Sequence, residues 1–158
     1  MKDIAIIRLQ KAPDMVGTDG YLHQNRYTAL PQMGISPKIV TGVHKLAQFV
    51  TKLLLTTQGS DLYDPQYGSG LLYLLRQAQS PSDLADIQGL IATHISDVRS
   101  QVIASQVNLS LPSDERLQDL KLLSVNFDQA NIKFDIEVSL VSEAGAARTL
   151  NIQNLLVG

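Results

Sequence analysis

The chain has 158 residues, 44% of them apolar and 18% charged, with a formal net charge of −2. That supports one cored domain and excludes a chain disordered as a whole. Without a basic stripe a nucleic-acid binder is not expected, and without cysteine there is neither a disulfide framework nor a thiolate metal site. The charged fraction is low for a free monomer, which suits a surface partly covered by partners. The lack of cysteine is compatible with assembly in a reducing cytoplasm.

Residues 3–9 (D-I-A-I-I-R-L) read as a short strand. The apolar run Ile4 to Ile7 is too short for a signal-peptide core, and the run Leu53 to Leu55 is far short of a membrane span. No membrane partner is therefore expected. Residues 10–35 carry Pro13, Gly17, Gly20, Pro31 and Gly34 without sustained periodicity, and read as an irregular arm ordered by a neighbour. The expected division is an arm over 1–35 and a domain over 36–158.

Ser36-Pro37 has the form of a helix start, with Ser36 as N-cap and Pro37 in the first turn. Apolar residues at Ile39, Val40, Val43, Leu46, Ala47, Val50, Leu53 and Leu54 mark one helical face, with Lys45 and Lys52 on the other side. The helix should end near Thr57. A loop from Gln58 to Leu72 follows, then a short leucine-rich helix to Gln79. Ser80-Pro81-Ser82-Asp83 opens a second long helix carrying Leu84, Ile87, Ile91, Ile95, Val98 and Val102, expected to reach about Gln106.

From Leu117 the period falls to 2. Leu123, Val125 and Phe127 alternate with polar residues, Gln129-Ala130-Asn131 makes a turn, and Ile132 to Leu140 alternates strictly. A turn at Ser142 to Ala147 leads to a third strand over 149–155. The expected fold is α+β: two main helices and a short one packed on one face of an antiparallel three-stranded meander, plus an extended N-terminal arm with a short strand.

The loop Q-G-S-D-L-Y-D-P-Q-Y-G-S-G-L-L is strongly specified. Gly59, Gly68 and Gly70 suit backbone angles that other residues resist, and Pro65 biases Asp64 towards an extended conformation. Tyr67 is expected to anchor the loop by packing. With Thr56 before it, the segment resembles the "T-x-x-G" turn and "R/D-P-x-F/Y-G-S-G-L" loop of a known family, through Thr56, Gly59, Asp64, Pro65, Tyr67, Gly68, Ser69, Gly70 and Leu71. That family is the small baseplate wedge subunit of contractile phage tails, called lysozyme-like and also found in type VI secretion baseplates. The resemblance covers about residues 37–156. The family carries "E-P-R-I/V" between its second long helix and the sheet. Here the segment is Asp114-Glu115-Arg116-Leu117: the acid is shorter, glutamate replaces proline, and the arginine matches. An arginine held by a nearby carboxylate presents a fixed fork to a partner. A polar loop with a surface ion pair is the plainer alternative.

The name lysozyme-like invites a test for two catalytic carboxylates. Asp61 with Asp64, and Asp114 with Glu115, are the pairs available; adjacent acids in polar loops are usually solvated or bound to backbone N–H groups. His23, His44 and His94 lack zinc spacing, Tyr67-Gly68-Ser69-Gly70-Leu71 is not a nucleophile elbow, and no phosphate-binding loop occurs. No catalytic residue, cofactor or metal is expected.

The resemblance implies a virion structural protein of the tail baseplate, assembled in the host cytoplasm as part of a six-fold hetero-oligomer. Its implied partners are other wedge subunits, the tail sheath protein and the tube or hub proteins. Sheath assembly would begin by strand addition to the sheet, the third strand or its nearest edge being the expected acceptor. A cytoplasmic regulatory binder of the same fold, anti-adaptor-like, is the alternative; a peptidoglycan hydrolase is a remote one.

Overall fold

The clearest period-2 run, Lys133–Ser142, lies inside a five-stranded sheet, second from one edge. The computed structural model describes residues 3–4, 7–11, 15–16, 22–23, 26–31, 39–77, 84–128 and 133–156, with side chains from residue 39 on apart from 76–77, 84–85 and 154–156. In chain order the elements are β1 (Asp3–Ile4), β2 (Ile7–Lys11), β3 (Met15–Val16), β4 (Leu22–His23), β5 (Arg26–Pro31), β6 (Ile39–Val40), α1 (Val43–Leu55), α2 (Leu71–Gln77), α3 (Leu84–Gln106), β7 (Leu117–Asp128), β8 (Lys133–Ser142) and β9 (Ala147–Leu156). The expected α+β architecture is present: β7, β8 and β9 form an antiparallel meander with the helices packed on one face.

Phe134, Ile136, Val138 and Leu140 alternate along β8 and are buried. They meet Leu46, Val50, Leu53 and Leu54 of α1 and Ile91, Ile95, Val98 and Val102 of α3 in one core. Each such side chain contributes about 1.5–3 kcal/mol by leaving water. β7 is less regular. Register shifts between Leu117 and Asp119 and between Leu122 and Ser124 break its alternation. Leu120, Leu122, Val125 and Phe127 therefore face the core, while Leu123, expected there, is 45% exposed.

Two further expectations are corrected. Helix α1 begins at Val43 and not at Pro37. Ser36 and Pro37 lie outside the described residues, but Ile39 and Val40 pair with Ile4 and Asp3 as strands and so are not helical. The start signal Ser80–Asp83 and the turn Gln129–Asn131 also lie outside the described residues, whereas α3 spans the expected range. The stretch read as an irregular arm contains strands. Ile7–Lys11 pairs with Tyr27–Pro31, and Met15–Val16 with Leu22–His23, each antiparallel. Strands β2 and β5 form a β-ribbon, and β3 with β4 a separate two-stranded pair.

That ribbon joins the sheet. Arg26, Tyr27 and Thr28 of β5 pair in parallel with Thr149, Leu150 and Asn151 of β9, giving the order β2-β5-β9-β8-β7. The outer edge of the third meander strand, expected to be open, is thus occupied by the chain's own arm; β2 and β7 are the outermost strands. The face away from the helices holds a buried carboxylate that periodicity alone does not suggest. Ser124 Oγ (3.3 Å) and Asn151 Nδ2 (3.4 Å) donate to the two oxygens of Glu137.

Candidate partner-binding site

The loop after α1 is a closed joint. Thr57 and Ser69 form a parallel β-bridge, with Gln58 N–H donating to Ser69 O (3.1 Å) and Ser69 N–H to Thr56 O (2.8 Å). Ser69 Oγ donates to Leu54 O (2.8 Å), which occupies a carbonyl of the last turn of α1. Gln101 Nε2 of α3 donates to Gly68 O (3.0 Å), tying the joint to the second long helix. Gly59 and Gly68 have φ of 82° and 106°, as expected of them. Gly70 has no positive φ and is small for another reason: a Cβ there would stand 2.5 Å from His94 Cε1. A Gly70→Ala variant should lose about 1 kcal/mol in urea denaturation, and His94→Ala in the same chain should restore most of it.

The acids of this loop are committed to it. Asp61 Oδ1 accepts from the N–H groups of Tyr63 (2.9 Å) and Asp64 (3.3 Å), and Asp64 Oδ1 from Gln66 N–H (3.2 Å). Tyr67 is half-buried against the core, with Lys52 Nζ 5.7 Å from its ring centre, in the anchoring role expected. Burial, reinforced by the charges of Asp61 and Asp64, raises its hydroxyl pKa. Pro65 is exposed, and Leu62 and Tyr63 are almost wholly so.

Glu115 has the most consequential position in the second motif. It is buried, accepting from Gly42 N–H (3.1 Å) on one oxygen and from Lys45 Nζ (2.7 Å) on the other. Gly42, with φ 63°, is the N-cap position of α1 and supplies no side chain; a carboxylate from a loop 73 residues away caps the helix instead. Lys45, assigned to the solvent side from spacing, is the partner of a partly buried ion pair. Burial acts to raise the Glu115 pKa, but the bonds from Lys45 and Gly42 and the lysine charge outweigh it, and the net shift is downward. A general acid needs the reverse shift.

Gln106, at the end of α3, fixes the same loop. Its Nε2 donates to Glu115 O (3.0 Å) and its Oε1 accepts from Leu117 N–H (2.9 Å). Leu117 is buried in the core, and Asp114 lies over Gly42, where a Cβ would meet its Oδ2 at 2.5 Å. Of the four residues of the segment, Glu115 and Leu117 therefore point inward. Asp114 and Arg116 are half-buried, the Arg116 side chain being 35% exposed. Arg116 is not held by Glu115: Nη2 donates to Leu109 O (2.9 Å), and Nη1 is 3.9 Å from Glu143. Its Nε is buried with no hydrogen-bond partner. Leu109 also lines an open cavity of about 260 Å³, walled by Leu46, Phe49, Leu111 and the Lys45–Glu115 pair. The exposed side chains of Val107 and Leu109 continue this apolar surface.

The arrangement supplies an apolar recess with a cation beside it, on a loop held by the hydrogen bonds of Glu115 and Gln106. It suits docking of an apolar segment that carries an acid. Among the described residues no group of three or more histidine or acidic side chains is placed to hold a metal, and no helix is long and apolar enough to cross a membrane. No family model matches the chain, and no curated protein matches it. The roles of Gly42 and Lys45 were missed in the sequence because their partner Glu115 lies 73 and 70 residues away, and that of Gln106 because its bonds span the irregular loop after α3.

Proposed function

We propose that this chain is a non-enzymatic structural subunit of a contractile-tail baseplate wedge, resident in the tail particle and assembled with other wedge subunits, the sheath and the tube or hub proteins. The observation that carries the reading is Arg116. It stands at the position of the family's arginine, partly exposed and bonded to the rim of an apolar cavity, while Glu115 beneath it locks the loop to α1. The shaped joint over 56–71 supports the same reading as a family marker, and the exposed Leu62 and Tyr63 on it offer a second apolar contact. The N-terminal ribbon is read as a brace against a neighbouring wedge protein, and an outer strand of the sheet as the start of sheath assembly.

Mass spectrometry of purified tails tests the assignment, and absence of the chain from intact particles removes it. For the contact, Arg116→Glu should leave the circular dichroism spectrum unchanged and the free energy of unfolding within about 1 kcal/mol of the parent, since the residue is partly exposed. The same variant should fail to co-purify with its wedge partners. Normal assembly of Arg116→Glu would transfer the contact elsewhere.

A further inference from the structure

We propose that the apolar recess beside Arg116 receives the Leu62–Tyr63 tip of a second copy of this chain, in a head-to-tail contact. The inference deepens the reading of that recess as a docking site and rests on it for the site alone, not for the particle in which the chain resides.

The tip has the form of a plug. Leu62 is 93% and Tyr63 99% exposed, so neither side chain packs on its own domain. The loop that carries them is nonetheless shaped. Asp61 Oδ1 accepts from the N–H groups of Tyr63 and Asp64, Asp64 Oδ1 accepts from Gln66 N–H, and the bridge between Thr57 and Ser69 closes the base. A tip held in this way loses little backbone freedom on docking, and it gains by removing both side chains from water.

The recess has the complementary form. Leu46, Phe49, Leu109 and Leu111 wall it. At about 260 Å³ it falls below the roughly 300–1,000 Å³ of pockets for drug-sized ligands, and it suits one or two side chains. The charges match as well. Lys45 already has Glu115 at 2.7 Å, whereas Arg116 meets Glu143 only at 3.9 Å and keeps the capacity to bind a further carboxylate. Asp61 and Asp64 flank the tip, so an acid accompanies whichever of the two side chains enters. Tyrosine and arginine are also the residue types on which binding energy concentrates at interfaces.

The placement of the two patches decides how copies join. Lys45, Leu46 and Phe49 lie in the first turns of α1, and the tip follows its last turn; a helix of 13 residues is roughly 20 Å long. Plug and socket thus stand towards opposite ends of α1. A contact between unlike patches does not close at two copies. Each added copy leaves one plug and one socket for the next, which gives a ring or a filament.

Sedimentation velocity of the purified chain from about 10 μM to about 1 mM tests this. The contact is small, so the parent should be monomeric at the low end and form dimers and larger species at the high end. Leu62→Ser with Tyr63→Ser removes the plug and keeps the socket. Arg116→Glu repels the incoming acid and keeps the plug. Each variant alone should associate at least tenfold more weakly than the parent. An equimolar mixture of the two should form heterodimers with the affinity of the parent contact and nothing larger, because one plug and one socket remain. A parent that stays monomeric at about 1 mM, variants that associate like the parent, or a mixture without heterodimers overturns the proposal. Where circular dichroism shows that Arg116→Glu does not fold, Leu109→Asp, at a cavity position 51% exposed, takes its place in the same scheme. Absence of the chain from purified tails would remove the baseplate assignment and leave this contact standing. A monomeric parent would remove this contact and leave the assignment standing, with the recess open to another wedge subunit.

Discussion

Replacing Glu115 by alanine is expected to destabilise the fold by about 2–3 kcal/mol, or about 5–10 °C in Tm for a chain of this length. Two losses combine. Gly42 N–H, at the start of α1, loses its acceptor, and Lys45 Nζ loses its counter-charge. Complete burial of the lysine would place the cost higher, but its side chain remains 17% exposed, which lets water recover part of it. The pH dependence follows from the downward shift of the Glu115 pKa. Its stabilising contribution is fully present above the ordinary value of 4.5 and disappears as pH falls through the lower folded-state value. Glu115→Gln removes that titration. The stability gap between parent and Glu115→Gln, measured by urea denaturation, should be constant from pH 7 to about 5 and narrow below about 4.5. Asp119, also lowered, first by its bond from Lys121, titrates in both proteins and drops out of the difference. A gap that does not change with pH would remove Glu115 as the acid-sensitive cap.

Gly68→Ala should cost about 2–4 kcal/mol, through backbone strain and a collision that no side-chain rotation relieves. At φ 106° the new Cβ stands 2.6 Å from Thr56 O and 3.1 Å from Gln58 N. Those atoms take part in the two hydrogen bonds that close the joint between α1 and α2. Gly59→Ala in the same loop is the control. Its φ of 82° imposes strain, but nothing lies within 4 Å of the new Cβ, so about 1–2 kcal/mol is expected. Urea denaturation of the two variants should rank Gly68 well above Gly59. Equal losses would mean that conformational strain alone, and not the close approach to Thr56, explains the glycine at 68.

The periodic elements were legible in the sequence because periodicity is a local property. The four-and-three spacing of Ile87, Ile91, Ile95, Val98 and Val102 set α3, and strict alternation from Phe134 to Leu140 set β8. Where a local rule met a nonlocal one, the reading failed. Leu123 has the right parity for the core, but two register shifts in β7 turn it outward. Ser36-Pro37 has the form of a helix start, yet pairing of Ile39 and Val40 with the N-terminus moves that start to Val43. In the candidate site, Arg116 was legible as the partly exposed cation. The inward role of Glu115 was not, because its bonds run to Gly42 and Lys45, more than 65 residues away in sequence.

The sequence by itself determined the α+β class, the helix-facing side of the meander, the glycines at 59 and 68 and the cation at 116. Each is encoded within a few residues, by side-chain spacing or by a backbone angle only glycine adopts freely. Tertiary structure alone decided that Glu115 caps α1, that Lys45 is paired and not solvated, that Gly70 is small because His94 lies against it, and that the N-terminal ribbon covers the edge of β9. Such contacts depend on which distant segments the packed core brings within hydrogen-bond reach. Nothing in the local pattern of either partner specifies the other.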